Sequence, residues 1–153
     1  MRGGPVVLRT VAGRRTGEST DDLESWLVQL QGCPPVTRTV LTTCTNAVHG
    51  GEPSTWFYVE ADAETAVARH RCMSCGDSRD VLDSAEHWNF PRMWACPSCS
   101  QSIAEIASGL HTDEHGAVSW LALAARCVDC GTIDGLTDFT LDATPADEVL
   151  RRL

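Results

Sequence analysis

Three Cys-x-x-Cys pairs lie within sixty residues of one another: Cys72-Met-Ser-Cys75, Cys96-Pro-Ser-Cys99 and Cys127-Val-Asp-Cys130. Each pair closes a tight turn that aims two sulfurs at one point. Two such pairs some twenty residues apart have the spacing of a four-thiolate zinc site. Two of the turns run on into glycine, as Arg71-Cys-Met-Ser-Cys-Gly76 and Arg126-Cys-Val-Asp-Cys-Gly131. A glycine there folds the backbone back with positive φ while its amides face sulfur. Because such a site does not pre-exist in the unfolded chain, its metal-binding energy is folding energy. Removing the metal is therefore expected to unfold residues 54–145.

The chain has 153 residues, enough for one domain with a modest core. No apolar run approaches the roughly 20 residues that a membrane-spanning helix needs. The opening Met1-Arg-Gly-Gly-Pro-Val-Val-Leu lacks a continuous apolar stretch, so no secretory signal is expected. Paired cysteines in a reducing compartment point to metal binding or redox chemistry rather than structural disulfides. The expected location is cytoplasmic, with no membrane association.

Net charge is −9, and all twelve basic residues are Arg. The acid excess is even: 5 Arg against 8 acids in residues 1–68, 5 against 8 in 69–130, and 2 against 5 in 131–153. Four thiolates on a zinc ion add two more negative charges locally. Nonspecific nucleic-acid binding draws on Lys and Arg reaching phosphates, so strong nucleic-acid binding is not expected. The local exception is the first seventeen residues, where Arg2, Arg9, Arg14 and Arg15 meet no acid. Residues 1–18 read as a flexible Arg-bearing arm.

The pattern predicts an α+β chain, mainly β, with a short N-terminal helix. Residues 19–32 fit that helix: Ser19 or Thr20 stands at the N-cap, and Asp21, Asp22 and Glu24 lie near the positive end of the dipole. Leu23, Trp26, Leu27 and Leu30 share one face, Gly32 stops the helix and Pro34-Pro35 forbids continuation. Residues 36–45 are β-branched and predict a strand; 46–54 form a loop or linker. Residues 19–53 thus read as an appendage and 54–145 as a β domain. Its strands are expected at Trp56–Glu60, Ala66–Arg71, Arg79–Leu82, Met93–Ala95, Ile103–Leu110, Val118–Ala125 and Thr137–Leu141. His111–Gly116 is the tip of the clearest hairpin, and Ala146–Leu153 forms a short C-terminal helix started by Pro145.

The stretch from Arg71-Cys72 to Cys99-Ser100 resembles the zinc ribbon family: Cys-x-x-Cys-Gly, a hairpin, an aromatic, then Cys-Pro-x-Cys. The resemblance covers about thirty residues and implies a small antiparallel sheet pinned by one zinc through Cys72, Cys75, Cys96 and Cys99. One departure is Ser100, where the family usually has Gly.

The third pair leaves that ligand set open. A hairpin from about 101 to 126 brings Cys127 and Cys130 beside Cys96 and Cys99. All three turns then converge at one end of the sheet, with six thiolates where one zinc takes four. One zinc with a spare redox-capable pair, two zincs with the second completed by other ligands, and a bridged two-metal cluster all satisfy the spacing.

Further ligands are weaker candidates. Cys33 and Cys44 read as buried, inert thiols, with a shared role alongside the third pair as the alternative. His111 and His115 read as solvated tip residues, roughly ten residues (~30 Å of strand) from the cysteines. His87 is the best nitrogen candidate, though packing is the plainer reading, and His70 reads as a structural neighbour of the first turn.

Catalysis finds little support. A four-cysteine zinc is closed, whereas a catalytic zinc keeps a position for water. The His–x–Glu of a deaminase, phosphate-binding glycine loops and a nucleophile elbow are all missing from the sequence. The pairs follow β-like segments rather than opening a helix, where the dipole would activate a thiol. The expected function is a noncatalytic, zinc-binding protein-interaction module, adaptor or regulatory, with an unidentified protein partner. The competing reading is a zinc- or redox-responsive thiol switch.

Overall fold

A computed structural model of the chain describes residues 8–11 and 14–153, with side chains from residue 16 onward. Its elements are β1 (Leu8–Val11), β2 (Arg14–Gly17), α1 (Thr20–Val28), β3 (Arg38–Leu41), β4 (Phe57–Asp62), β5 (Val67–Cys72), β6 (Ser78–Asp80), β7 (Ala104–Thr112), β8 (Ala117–Cys127), β9 (Ile133–Pro145) and α2 (Ala146–Arg151). The chain is mostly antiparallel sheet with few helices. Six strands run in the order β6-β5-β4-β7-β8-β9, and β3 pairs with β7 off that path. Among the described residues no helix is long and apolar enough to cross a membrane.

The sheet is two meanders joined at a narrow seam. β4, β5 and β6 form one, β7, β8 and β9 the other, and β4 meets β7 only at Phe57 opposite Ala104. The remaining edge of β7 is taken by β3, with Arg38 opposite Leu110 and Leu41 opposite Ala107. Val59 and Ala68 of the first meander and Ile106, Leu121, Leu123 and Phe139 of the second share one buried cluster, closed at its end by Val149 of α2. The alternation of strand side chains puts Ala107, Trp120, Ala122 and Ala124 on the opposite face, under Leu23 and Leu27 of α1. Alanines and Gly109 dominate there because the helix comes close. A Cβ on Gly109 would stand 3.2 Å from the Leu27 Cβ and 3.1 Å from Val36.

The differences from the sequence pattern have local causes. α1 ends at Val28, and the Gln29 amide is shared between the Ser25 and Trp26 carbonyls as the helix tightens. The expected strand at Met93–Ala95 is reduced to a bridge between Met93 and Glu60, since Pro91 and Pro97 bracket it and withhold donors. The hairpin tip shortens because His111 and Thr112 still pair with Trp120 and Val118; Asp113 then accepts the His115 and Ala117 amides. Residues 36–45 give four strand residues, and Cys44 pairs with Ser54 in a separate bridge. Part of the arm at 1–18 lies outside the described residues. Within it, β1 and β2 pair as a hairpin, and Thr16 bridges Thr132 beside the third cysteine turn.

Candidate metal centres

The three cysteine turns have one backbone design. In each, the amide of the first Cys donates to the carbonyl five residues on: Cys72 to Asp77, Cys96 to Gln101, Cys127 to Thr132, at 2.7–2.9 Å. The amide four residues on returns to the first Cys, from Gly76, Ser100 and Gly131 respectively, at 2.8–3.0 Å. That return requires positive φ, and the three residues adopt 78°, 68° and 79°. Ser100 therefore takes the shape that glycine takes elsewhere, at a steric cost of roughly 1–2 kcal/mol. Amides also reach sulfur, Asp77 to Cys75 at 3.5 Å and Ser98 to Cys96 at 3.4 Å.

Strand register places all of this at one end of the sheet. Cys72 lies opposite Phe57, Phe57 opposite Ala104, and Ala104 opposite Cys127. The first and third turns are thus three strand spacings apart, about 14 Å at ~4.8 Å each. No single ion spans that distance. The turns gather instead into two sets of four: Cys44, His49, Cys72 and Cys75, and Cys96, Cys99, Cys127 and Cys130. Within each set the donor atoms lie within 4.8 Å of one another.

The set implied by the zinc-ribbon resemblance is thereby corrected. Cys72 and Cys75 do not share a site with Cys96 and Cys99; the seam at Phe57–Ala104 and the β7–β8 hairpin give the second turn to the third. The sulfur contacts there are Cys96 to Cys130 and Cys99 to Cys127, each 3.5 Å. Cys130 also meets the Thr132 hydroxyl at 3.2 Å, and Thr132 donates to Ser98 at 2.9 Å, linking the two turns. Arg126 holds the base of the third turn: it donates to the Gly17 carbonyl at 2.8 Å and pairs with Glu105 at 2.7 Å.

The first turn is completed by residues before β4. Past β3, the mutual backbone bonds of Cys44 and Ser54 at 2.8 and 3.1 Å close a loop. Asn46 caps its 3-10 turn, Ala47–His49, by accepting the Val48 amide. The loop so formed swings the His49 ring back, with Nε2 3.3 Å from the Cys44 sulfur and 3.5 Å from Cys72. Cys44 lies 3.6 Å from Cys75. His49 is the ligand candidate that the sequence reading missed, and Cys44 was assigned there to the core or to the third pair. The available signal was a Cys-x-x-x-x-His spacing ending in Gly50-Gly51.

These distances suit a tetrahedral ion. With Zn–S of about 2.3 Å and Zn–N of about 2.0 Å, the sulfurs stand about 3.8 Å apart and a nitrogen and sulfur about 3.5 Å apart. A disulfide needs about 2.05 Å between sulfurs, so neither set is oxidised. The protonation balance points the same way. Burial pushes Cys72 up, but the Cys75 and Ser74 amides and the Ser54 hydroxyl outweigh it and bring the thiol down to about 6. Burial and the adjacent Cys75 and Cys72 push Cys44 up to about 11 against the pull of the Asn46 amide. In the second set the Gln101 amide pulls Cys99 down, yet burial and the neighbouring thiols carry it up to about 12. Cys130, also raised by burial, is brought to about 7 by Thr132. Like charges this close cannot all ionise alone, and a dication at the centre removes the conflict.

The other candidates lie elsewhere. Cys33 packs under α1, and among the described residues it joins no metal-ligating group. His111 donates from Nδ1 to the Pro35 carbonyl, 2.8 Å away, and His115 is exposed beside Glu114. His87 shares a surface turn with Asp83, 3.4 Å away, and Glu86, a solvent-facing group of a kind common without a metal ion. His70 is buried with its ring edge-on to Phe57, and burial together with Arg79 holds its imidazole down to about 4.

Comparison of the chain with protein-family models, with curated proteins and with solved structures finds no match. The functional reading therefore stands on the two cysteine clusters themselves.

Proposed function

We propose that this chain is a noncatalytic protein-interaction module, adaptor or regulatory in role, whose sheet is held in shape by two zinc ions. One is bound by Cys96, Cys99, Cys127 and Cys130, the other by Cys44, His49, Cys72 and Cys75. The observation that carries the reading is the partition of the three pairs into two complete sets of four donors, each sized for a tetrahedral ion. Four thiolates, or three with an imidazole, fill the coordination of a structural zinc and leave no position for a reacting water. Zinc is favoured over iron–sulfur chemistry by the mixed sulfur–nitrogen set.

A switch in which the third pair releases metal or oxidises is the second reading; the grouping of every pair with further donors favours the structural module over a spare, oxidisable pair. Protein recognition is favoured by apolar groups left in solvent around the first set. Val48, beside His49, is 73% exposed, and Trp56, whose carbonyl accepts the Met73 amide of the first turn, is 44% exposed. Exposed apolar and aromatic side chains beside a rigid turn are candidate contact residues.

Native mass spectrometry under reducing conditions tests the reading. Two zinc ions per chain with no titratable Cys-x-x-Cys thiol is the expected result. One zinc with a freely alkylated pair favours the switch and overturns the two-zinc module.

A further inference from the structure

Beside the first cysteine set lies a cavity of about 440 Å³ between β3, the β5–β6 turn and α2. That volume suits a small molecule rather than a few waters. At its wall is His70, only 4% exposed, and among the described residues neither ring nitrogen has a hydrogen-bond partner. The main chain of Leu153 approaches the ring without closing a hydrogen bond. A buried imidazole carries at least one N–H, and leaving it unmatched costs free energy. Arg38 and Arg79 flank the same cavity, and among the described residues neither is in an ion pair. Among the described residues Asp77 is the one carboxylate side chain there. Phe57, Leu150 and Leu153 supply an apolar wall.

We propose that this cavity binds a small organic monocarboxylate. The carboxylate takes the guanidinium groups of Arg38 and Arg79 and the N–H of His70, and the apolar body lies against Phe57, Leu150 and Leu153. Arginine's planar fork matches a carboxylate in two parallel bonds. The two guanidiniums outnumber Asp77, and the apolar wall suits an organic acid better than inorganic phosphate. Cys44 borders the cavity, so an occupant there touches the loop that carries the first cysteine set.

Calorimetric titration of the metal-replete protein with benzoate, benzyl alcohol and inorganic phosphate tests this, with zinc content measured in every sample. Saturable benzoate binding is expected, at least about tenfold tighter than benzyl alcohol, the size of one charge-assisted hydrogen bond. Arg38→Gln and His70→Gln should each weaken benzoate by a similar factor. Arg38 is exposed on β3 and is not itself a metal-donor candidate, so its variant is expected to keep its zinc and isolates the cavity even where His70→Gln does not fold. No benzoate binding, equal binding of benzyl alcohol, preference for phosphate, or unchanged binding by Arg38→Gln overturns the proposal. The zinc count distinguishes that outcome from failure of the two-zinc reading.

Discussion

The sulfur of Cys44 lies 3.6 Å from that of Cys75, although thirty-one residues separate them in the chain. This contact ties the exit of β3 to the exit of β5, two strands that do not pair. The β3 side reaches it through the loop closed at Ser54, the β5 side through the first Cys-x-x-Cys turn. The first site therefore joins the segment before residue 54 to the sheet beyond it.

Cys44→Ser and His49→Ala are each expected to release one zinc per chain, as Cys72→Ser does, while Cys33→Ser releases none. Zinc-edge absorption on the wild-type protein should give an average shell of mostly sulfur with a minor nitrogen component, and an all-sulfur shell for His49→Cys. Equal zinc content in the Cys33 and Cys44 variants would contradict the assignment of the first set.

Stripping the metal with a chelator should abolish amide dispersion and most far-UV dichroism of the sheet, since structural zinc contributes about 10–16 kcal/mol of binding free energy that is also folding free energy. Acid should act in the same direction. The ligands bind as thiolates and neutral imidazole, so protons compete as pH falls, and zinc held at neutral pH is lost on acidification rather than on alkalinisation. An unchanged spectrum after complete metal removal sinks the structural role.

The three equivalent turns differ in what surrounds them, and alanine substitution should expose it. Gly76 and Gly131 have φ of 78° and 79°, but a Cβ on Gly76 meets nothing within 4 Å, whereas one on Gly131 would stand 2.5 Å from the Gly17 carbonyl. Gly76→Ala should cost about 1–2 kcal/mol from backbone strain alone. Gly131→Ala should cost about 2–4 kcal/mol and loosen the contact to β2. Ser100→Gly, relieving a positive φ, should stabilise by about 0.5–1 kcal/mol. Urea denaturation at fixed free zinc measures all three; Gly76→Ala costing more than Gly131→Ala would be inconsistent with these contacts.

Arg126→Gln removes both the Glu105 ion pair, whose side chains are 13–14% exposed, and the bond to Gly17. Leaving the Glu105 carboxylate largely buried and unpaired should destabilise by about 2–4 kcal/mol. The Arg126→Met, Glu105→Leu double variant should recover much of that loss. A double variant as unstable as the sum of the singles points to damage outside the pair.

Duplex or single-stranded DNA of random sequence should bind no tighter than the weak nonspecific range, about 10⁻⁴–10⁻⁶ M at physiological salt. The acids of β9 are not simply free repulsive charges: Asp134 and Asp138 accept the indole N–H groups of Trp94 and Trp120 at 3.0 and 2.8 Å. Submicromolar binding in a fluorescence titration, retained after deletion of residues 1–17, would recast the chain as a nucleic-acid reader.

The sequence by itself determined the parts whose physics is local. Cys-x-x-Cys followed by Gly specifies a metal-ready turn within six residues, and those turns formed. Ser19 to Leu27 carried the N-cap position and the apolar face of α1, and the β-like stretches either side of the polar tip His111–Gly116 marked the long hairpin, which is why Cys96 and Cys99 could be placed beside Cys127 and Cys130. The tertiary structure decided which partner completed the first turn. Cys44 and His49 carry no paired motif, and their approach to Cys72 and Cys75 depends on β3 docking against β7 while β4 meets β7 at one residue pair. That geometry comes from long-range strand pairing, whose register and seam no short window of sequence encodes. It also brought Arg38 to the cavity lined by His70 and Arg79, which face each other across the β5–β6 hairpin.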